Sequence, residues 1–189
     1  MERREWSMIL FMFKTVFSSF DIIKAFFNIK VEEESKKYTA FTTKYGVFVW
    51  NVMPFGGKNS PAVWARASDA CFRACHDLIK YVDDFVLASS KGEHGESADD
   101  MHLRAIRSFF ECLERHNLKI KLSKCSFFAD SVKFLGQIID ADGRRPDDEY
   151  IRRLMKFRHP RNLAELKAYI GSLEWISRHV YGMKKFMGP

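Results

Sequence analysis

The chain has 189 residues, 47% hydrophobic and 15% aromatic, enough for a sizeable core in one domain with an attached piece. No charge-free run of about 18 apolar residues occurs. The greasiest stretch, "MILFMFKTVFSSF" at 8–20, is broken by Lys14 and followed by Asp21, which argues against a membrane span, and it lacks the small-residue cleavage pattern of a signal peptide. The formal charge of +7 gathers at the end, where residues 144–189 hold eleven Lys and Arg against five Asp and Glu. Such a basic face suits a polyanion, commonly nucleic acid, and equally serves solubility.

In chain order, "VFSSF" at 16–20 is predicted as a short strand ending at Asp21, and "FFNIKV" at 26–31 returns to an extended pattern. After the charged turn "EEESKK" at 32–37, "YTAFTT" and "VFVWNV" flank Lys44, Tyr45 and Gly46 as a hairpin. "NSPAVWARASDACFRACHDL" at 59–78 reads as a helix capped by Asn59 or Ser60, with Pro61 near its first position. Cys71, Cys75 and His76 fall in that helix without the spacing of a compact zinc site, so the four cysteines (Cys112 and Cys125 are the others) read as reduced structural thiols. "KYVDDFVLA" is then a hairpin with two carboxylates near its turn.

Ser97 and Asp100 resemble a capping box at the start of an amphipathic helix whose apolar positions are Met101, Ala105, Phe109 and Leu113, with Ile106 and Phe110 beside them. "LKIKLSKCSFF" and "VKFLGQII" are strand candidates, and "DADG" at 140–143 is a turn. The basic tail is predicted helical, first from Pro146 to Arg158 and then through "LAELKAYIGSLEWISRHV", opened by the capping pair Asn162 and Glu165. The order predicts an α+β fold, an antiparallel-rich sheet backed by two helices, with the tail as a separate lobe.

Within this layout Asp83 and Asp84 stand out, because "LIKYVDDFVLAS" at 78–89 sets two adjacent carboxylates inside an apolar strand pair. Asp21, at the end of a neighbouring strand, would complete a cluster of three. Such a cluster repels itself unless cations neutralise it, and oxygen-rich sites of this kind suit Mg²⁺. Two such ions would clamp the attacking and departing oxygens of phosphoryl transfer, as when a 3′-hydroxyl attacks a nucleoside triphosphate. The bland alternative is a solvated turn, and adjacent aspartates also occur at 99–100 and 147–148 without an apolar strand on both sides.

Read together, "FDIIKAFF", "TAF", "VMPFGGKNSPAVW", "YVDD", "KLSKC" and "VKFLGQIIDADG" stand in an order that resembles the reverse transcriptases of LTR retrotransposons, the gypsy class more than the retroviral one. The resemblance runs from about Val16 to Val180, and "NLAELKAYIGSLEWISRHV" looks like the first part of that family's thumb. It implies a palm with partial fingers over residues 1–143, lacking several dozen residues that precede "VFSSFD" in the family, and a basic helical start of the thumb over 144–189. It also implies an RNA-directed DNA polymerase core, normally part of a polyprotein with further fingers and ribonuclease H segments. Its partners would be an RNA or DNA template with primer, deoxynucleoside triphosphates and two Mg²⁺ ions, in an intracellular setting, cytoplasmic or nucleus-associated, with no membrane.

Carried over position by position, Asp21 matches the first catalytic aspartate, and Asp83 and Asp84 match the pair of the YxDD motif; all three would hold metal. Phe26 matches the aromatic under the incoming sugar, where a flat ring leaves no room for a 2′-hydroxyl. Phe55 and Gly56 match nucleotide-pocket positions, and Lys124 matches a lysine near the triphosphate. Phe134, Leu135 and Gly136 resemble the hairpin that holds the primer end, and Arg66 is either a template contact or a solvated helix charge. The lining departs from the family pattern at Phe27-Asn28, Gly57, Lys58, Ala65 and Gln137. The alternative to a polymerase core is a non-catalytic retroelement remnant that at most binds nucleic acid. An RNA-dependent RNA polymerase palm is disfavoured by Phe26.

Overall fold

The computed structural model describes residues 11, 13–92, 95–177, 179 and 182–186. The expected opening of the partial fingers at residues 1–10, and positions 178 and 180 of the expected thumb helix, lie outside them. The elements run β1 (Val16–Asp21), β2 (Phe41–Thr43), β3 (Gly46–Phe48), α1 (Ser60–Cys71), β4 (Leu78–Tyr81), β5 (Asp84–Ser89), α2 (Ala98–Arg115), β6 (Ser126–Ala129), β7 (Ser131–Phe134), β8 (Gln137–Asp140), β9 (Gly143–Pro146), α3 (Asp148–Met155) and α4 (Leu163–Ile176). A central sheet has the order β4-β5-β1-β6, with all its pairs antiparallel, and the fold is α+β as expected. Two smaller sheets pair β2 with β3 and β7 with β8 and β9.

Alternation along β1 and β5 decides what each face of the central sheet meets. Phe20, Phe85 and Leu87 join Trp64, Phe72, Ile106, Phe109 and Leu113 in a core beneath helices α1 and α2. On the opposite face Phe17, Val86 and Ala88 pack with Val132, Phe134 and Ile139 of the β7–β9 sheet. The central strands are therefore covered on both sides, which is why β5 is buried from Phe85 to Ser89. Between β1, β5 and α2, the fully buried His102 bonds Ser18 Oγ through Nε2 (2.7 Å) and Ser89 Oγ through Nδ1 (2.9 Å), and burial lowers its pKa.

Several expectations shift for local reasons. Of the expected extended stretch at 26–31, the first half is a 3-10 turn over Ala25–Asn28, where Asn28 Nδ2 donates to the carbonyls of Ile23, Lys24 and Ala25. Ile29, by contrast, is extended, and residues 29–31 pair with 51–53 through a Lys30–Val52 bridge, with Val31 N donating to Asn51 O (3.0 Å) and Met53 N to Ile29 O (2.9 Å). Helix α1 stops at Cys71, leaving Cys75 and His76 beyond it. Cys75 and Cys112 are free thiols 3.5 Å apart, and burial followed by the contact with Cys112 pushes the Cys75 thiol up to about 11, in keeping with inert structural cysteines. In α2 the buried stripe is His102, Ile106, Phe109, Cys112 and Leu113, turned so that Met101 and Phe110 sit at its margins. Ser97 caps this helix by accepting from Asp100 N (3.1 Å), and Asn162 caps α4 by accepting from Glu165 N (2.9 Å), both as expected.

The "GRRP" segment forms β9 by pairing with β8, so the expected boundary after residue 143 falls inside a strand. Helix α3 is correspondingly shorter than the expected 146–158. Helices α3 and α4 meet where Tyr150 OH donates to Ser172 O (3.0 Å) and its ring lies 4.3 Å from that of Trp175. No helix among the described residues is long and apolar enough to cross a membrane.

Candidate active site

Asp21 ends β1 and Asp84 begins β5, and the antiparallel register sets them directly opposite each other. Alternation sends both side chains away from the aromatic core, because their chain neighbours Phe20 and Phe85 point into it. Like charges opposed across a ladder destabilise it, so the pairing carries a cost that the surrounding apolar packing must offset. Asp83 sits beside them in the two-residue turn between Tyr81 and Asp84. The first turn residue, Val82, has φ 53°, a left-handed conformation that primed two-residue hairpins usually give to Gly, Asn or Asp.

The segment after α2 runs alongside the end of β1: Ile23 N donates to Lys119 O (2.7 Å) and Lys121 N to Asp21 O (2.9 Å). This brings Lys124 Nζ to 2.9 Å from Asp21 Oδ2, in a half-exposed ion pair. Asp21, Asp84 and Lys124 line an open cleft of about 340 Å³ together with Lys133, Leu135 and Gly136 from the β7–β8 hairpin. Lys133 is itself ion-paired to Asp147.

Burial raises the pKa of Asp83, and the charges of Asp84 and then Asp21 raise it further; Asp84 is raised by burial and then by Asp21. Folding thus favours the protonated forms. The stability difference is absent below the ordinary carboxylate value of 3.8 and grows unfavourable as pH rises through the higher folded values. Asp84→Asn removes one of these groups and relieves Asp83. Its melting temperature is therefore expected to gain on the parent's as pH rises from 3.5 to 7 in parallel thermal melts. A gap that stays flat or shrinks would contradict the repulsion.

Among the described residues no group of three His, Cys, Asp or Glu side chains converges to hold a metal ion. The donor set nonetheless fits a hard divalent cation: carboxylate oxygens, two of them with proton affinity raised by burial and then by neighbouring negative charge, are what such an ion would neutralise. Asp21 and Asp84 share the cleft, and Asp83 lies on the adjoining turn.

The nucleotide-pocket candidates also gather. Phe26 is 8% exposed and meets Phe55 edge-on at 5.4 Å, and Phe55 is 61% exposed. Gly56 follows with φ 85° and open space where a Cβ would be. Arg66 lies on the exposed side of α1. Phe134 is a correction: it is 1% exposed, a core residue 5.5 Å from Phe11, because alternation turns it inward. Its neighbours Leu135 and Gly136, with φ 52° and 77°, form the turn that reaches the cleft. Sequence reasoning missed Trp64, whose indole Nε1 donates to Val82 O at 2.7 Å.

A family model described as "Reverse transcriptase (RNA-dependent DNA polymerase)" matches residues 13–139. The chain belongs to the reverse transcriptase family. Among its relatives, the Retrovirus-related Pol polyprotein from transposon 297 of Drosophila melanogaster is 33% identical over 158 residues, covering 82% of this chain and 14% of that protein. The Enzymatic polyprotein of Cauliflower mosaic virus (strain NY8153) is 29% identical over 180 residues, covering 93% of this reverse transcriptase chain and 25% of the polyprotein. A foamy viral protease-reverse transcriptase solved with double-stranded DNA superposes with a TM-score of 0.84 at 24% identity, over 94% of this chain and 30% of that one, which shows a shared fold. This chain thus spans a quarter or less of the length of these polyprotein relatives.

Proposed function

We propose that this reverse transcriptase chain is the RNA-directed DNA polymerase core of an LTR retrotransposon Pol polyprotein, of the gypsy class. The observation that carries the proposal is the direct Asp21–Asp84 register with Asp83 on the adjoining turn. Residues 1–143 would be partial fingers and palm, and 144–189 the start of the thumb. Asp21, Asp83 and Asp84 would hold two Mg²⁺ ions. When bound, these ions would acidify the primer 3′-hydroxyl and balance charge on the triphosphate.

The chain's own residues do the rest. Phe26 and Phe55, packed edge to face, would bracket the deoxyribose, with Phe26 closing the space a 2′-hydroxyl needs. Gly56 admits close backbone approach. Lys124, paired with Asp21 at the cleft, would meet a phosphate oxygen of the nucleotide. The Leu135–Gly136 turn faces the same cleft and would meet the primer end, while Arg66 would meet the template. The basic tail would follow the duplex through phosphates, giving affinity that falls with salt rather than sequence choice. In a Pol polyprotein, fingers and ribonuclease H segments would be its partners, in the cytoplasm or near the nucleus.

The test is primer extension on an RNA template with deoxynucleotides and Mg²⁺, running the chain beside its Asp83→Asn/Asp84→Asn double variant. Extension by the parent and none by the variant is expected. No extension by either, from folded protein, would overturn the reading for this chain and leave a remnant that at most binds nucleic acid.

A further inference from the structure

Trp64 is 1% exposed and belongs to the core cluster that also holds Phe26, Met53 and Phe72. A phenylalanine would fill that apolar environment as well; what tryptophan adds is one N–H donor and no acceptor. That donor reaches the carbonyl oxygen of Val82 at 2.7 Å, across 18 residues of chain. The carbonyl belongs to the peptide group that joins Val82 to Asp83, and a peptide group is planar. Holding its oxygen therefore sets the plane from which the Asp83 backbone departs. The hold matters at this place because Val82 is β-branched and left-handed, with φ 53°, a conformation the chain does not adopt without outside support.

Helix α1 is itself fixed against the same hairpin. Lys80 Nζ of β4 donates to Ser68 Oγ (2.8 Å) and pairs with Asp69 Oδ1 (2.5 Å), so the element that carries Trp64 is tied to the strand leading into the turn. We propose that Trp64 is a positioning residue for Asp83: its indole N–H locks the Val82–Asp83 peptide in the left-handed turn and so keeps the Asp83 carboxylate beside Asp84 and Asp21. The assignment of a catalytic part to Asp83 rests on the proposed polymerase reading; the lock on the turn does not.

The experiment compares the full chain with Trp64→Phe, and with a chain carrying 3-benzothienylalanine at position 64, which keeps the bicyclic ring and has sulfur in place of the N–H. Amide hydrogen exchange at residues 82–84 reads the turn without metal or substrate. Both non-donating chains are expected to exchange there about tenfold faster, with the rest of the β1–β5 ladder, Phe85 to Ser89, unchanged. Mn²⁺ affinity by electron paramagnetic resonance is expected to weaken severalfold on loss of the donor, and to show no further loss when the same change is made in an Asp83→Asn background.

Unchanged exchange at the turn, or an equal loss of Mn²⁺ affinity in both backgrounds, would overturn the proposal. Should Trp64→Phe fail to fold, the benzothienyl chain decides, since it preserves ring volume. Primer extension is run alongside, with a drop of about tenfold in kcat and little change in nucleotide KM expected. A parent that extends no primer sinks the polymerase reading alone, because turn exchange still decides the role of Trp64.

Discussion

Asp21→Asn is expected to lower Mg²⁺-dependent primer extension by about a thousandfold or more while leaving the fold as stable as the parent at neutral pH. On the proposed polymerase reading, losing a carboxylate that would hold a catalytic cation removes several kcal/mol of transition-state stabilisation, and each ~1.4 kcal/mol is tenfold in rate. The stability side follows from the charges around Asp21. Its ion pair with Lys124 is half-exposed, and pairs of that kind contribute about 0–1 kcal/mol. Against this stands the repulsion that Asp21 exerts on both Asp83 and Asp84, which the substitution removes. The two effects oppose each other, so little net change is expected. Single-turnover extension and a thermal melt on the same preparation test both halves. A variant that is inactive because it unfolds would place Asp21 in the core structure rather than the chemistry, and one that still extends primers at a tenth of the parent rate would remove it from the catalytic set.

Asp83 and Asp84 were legible as a candidate site because their cost is legible: two adjacent charges inside "LIKYVDDFVLAS" have no structural use that a pair of apolar or hydroxyl side chains would not serve better. Asp21 entered through its place at the end of a neighbouring strand and through the family resemblance. Strands and helices with strong patterns, such as β1, β5 and α2, came through for the same reason, since burial on a face leaves a period in the residues. What did not come through depends on contacts distant in sequence. "GRRP" has nothing of a strand in its composition and becomes β9 only because β8 lies alongside it. The direction of Phe134 hinges on which side of the β7–β8 hairpin meets the central sheet, and local pattern does not specify that. Trp64 is the sharpest case. Its ring reads as ordinary core, and the use of its single donor becomes visible only when Val82 is found overhead in a left-handed turn.

The same register that opposes Asp21 to Asp84 opposes Phe20 to Phe85 one step back along each strand, on the other face. Beneath that aromatic pair lies Phe109 of α2, fully buried, with its ring 4.4 Å from Phe20, 5.2 Å from Phe72 and 6.3 Å from Phe85. Phe109→Ala is therefore expected to destabilise the chain by about 3–5 kcal/mol, the range for truncating a buried aromatic whose site cannot fully collapse. Domains of this size are stable by roughly 5–15 kcal/mol, so the loss would take a large part of the total. The neighbouring Phe110, 37% exposed at the margin of the same cluster, provides the control: its alanine variant is expected to lose much less, because much of its ring already faces water. Urea midpoints of the two variants, at unchanged m-value, measure the difference. Equal losses would mean that the aromatic layer is not what holds the two acidic strands in register. A Phe109 variant that stays folded at low temperature is expected to lose primer extension as well, since the strand ends carrying Asp21 and Asp84 rest on the ring it lacks.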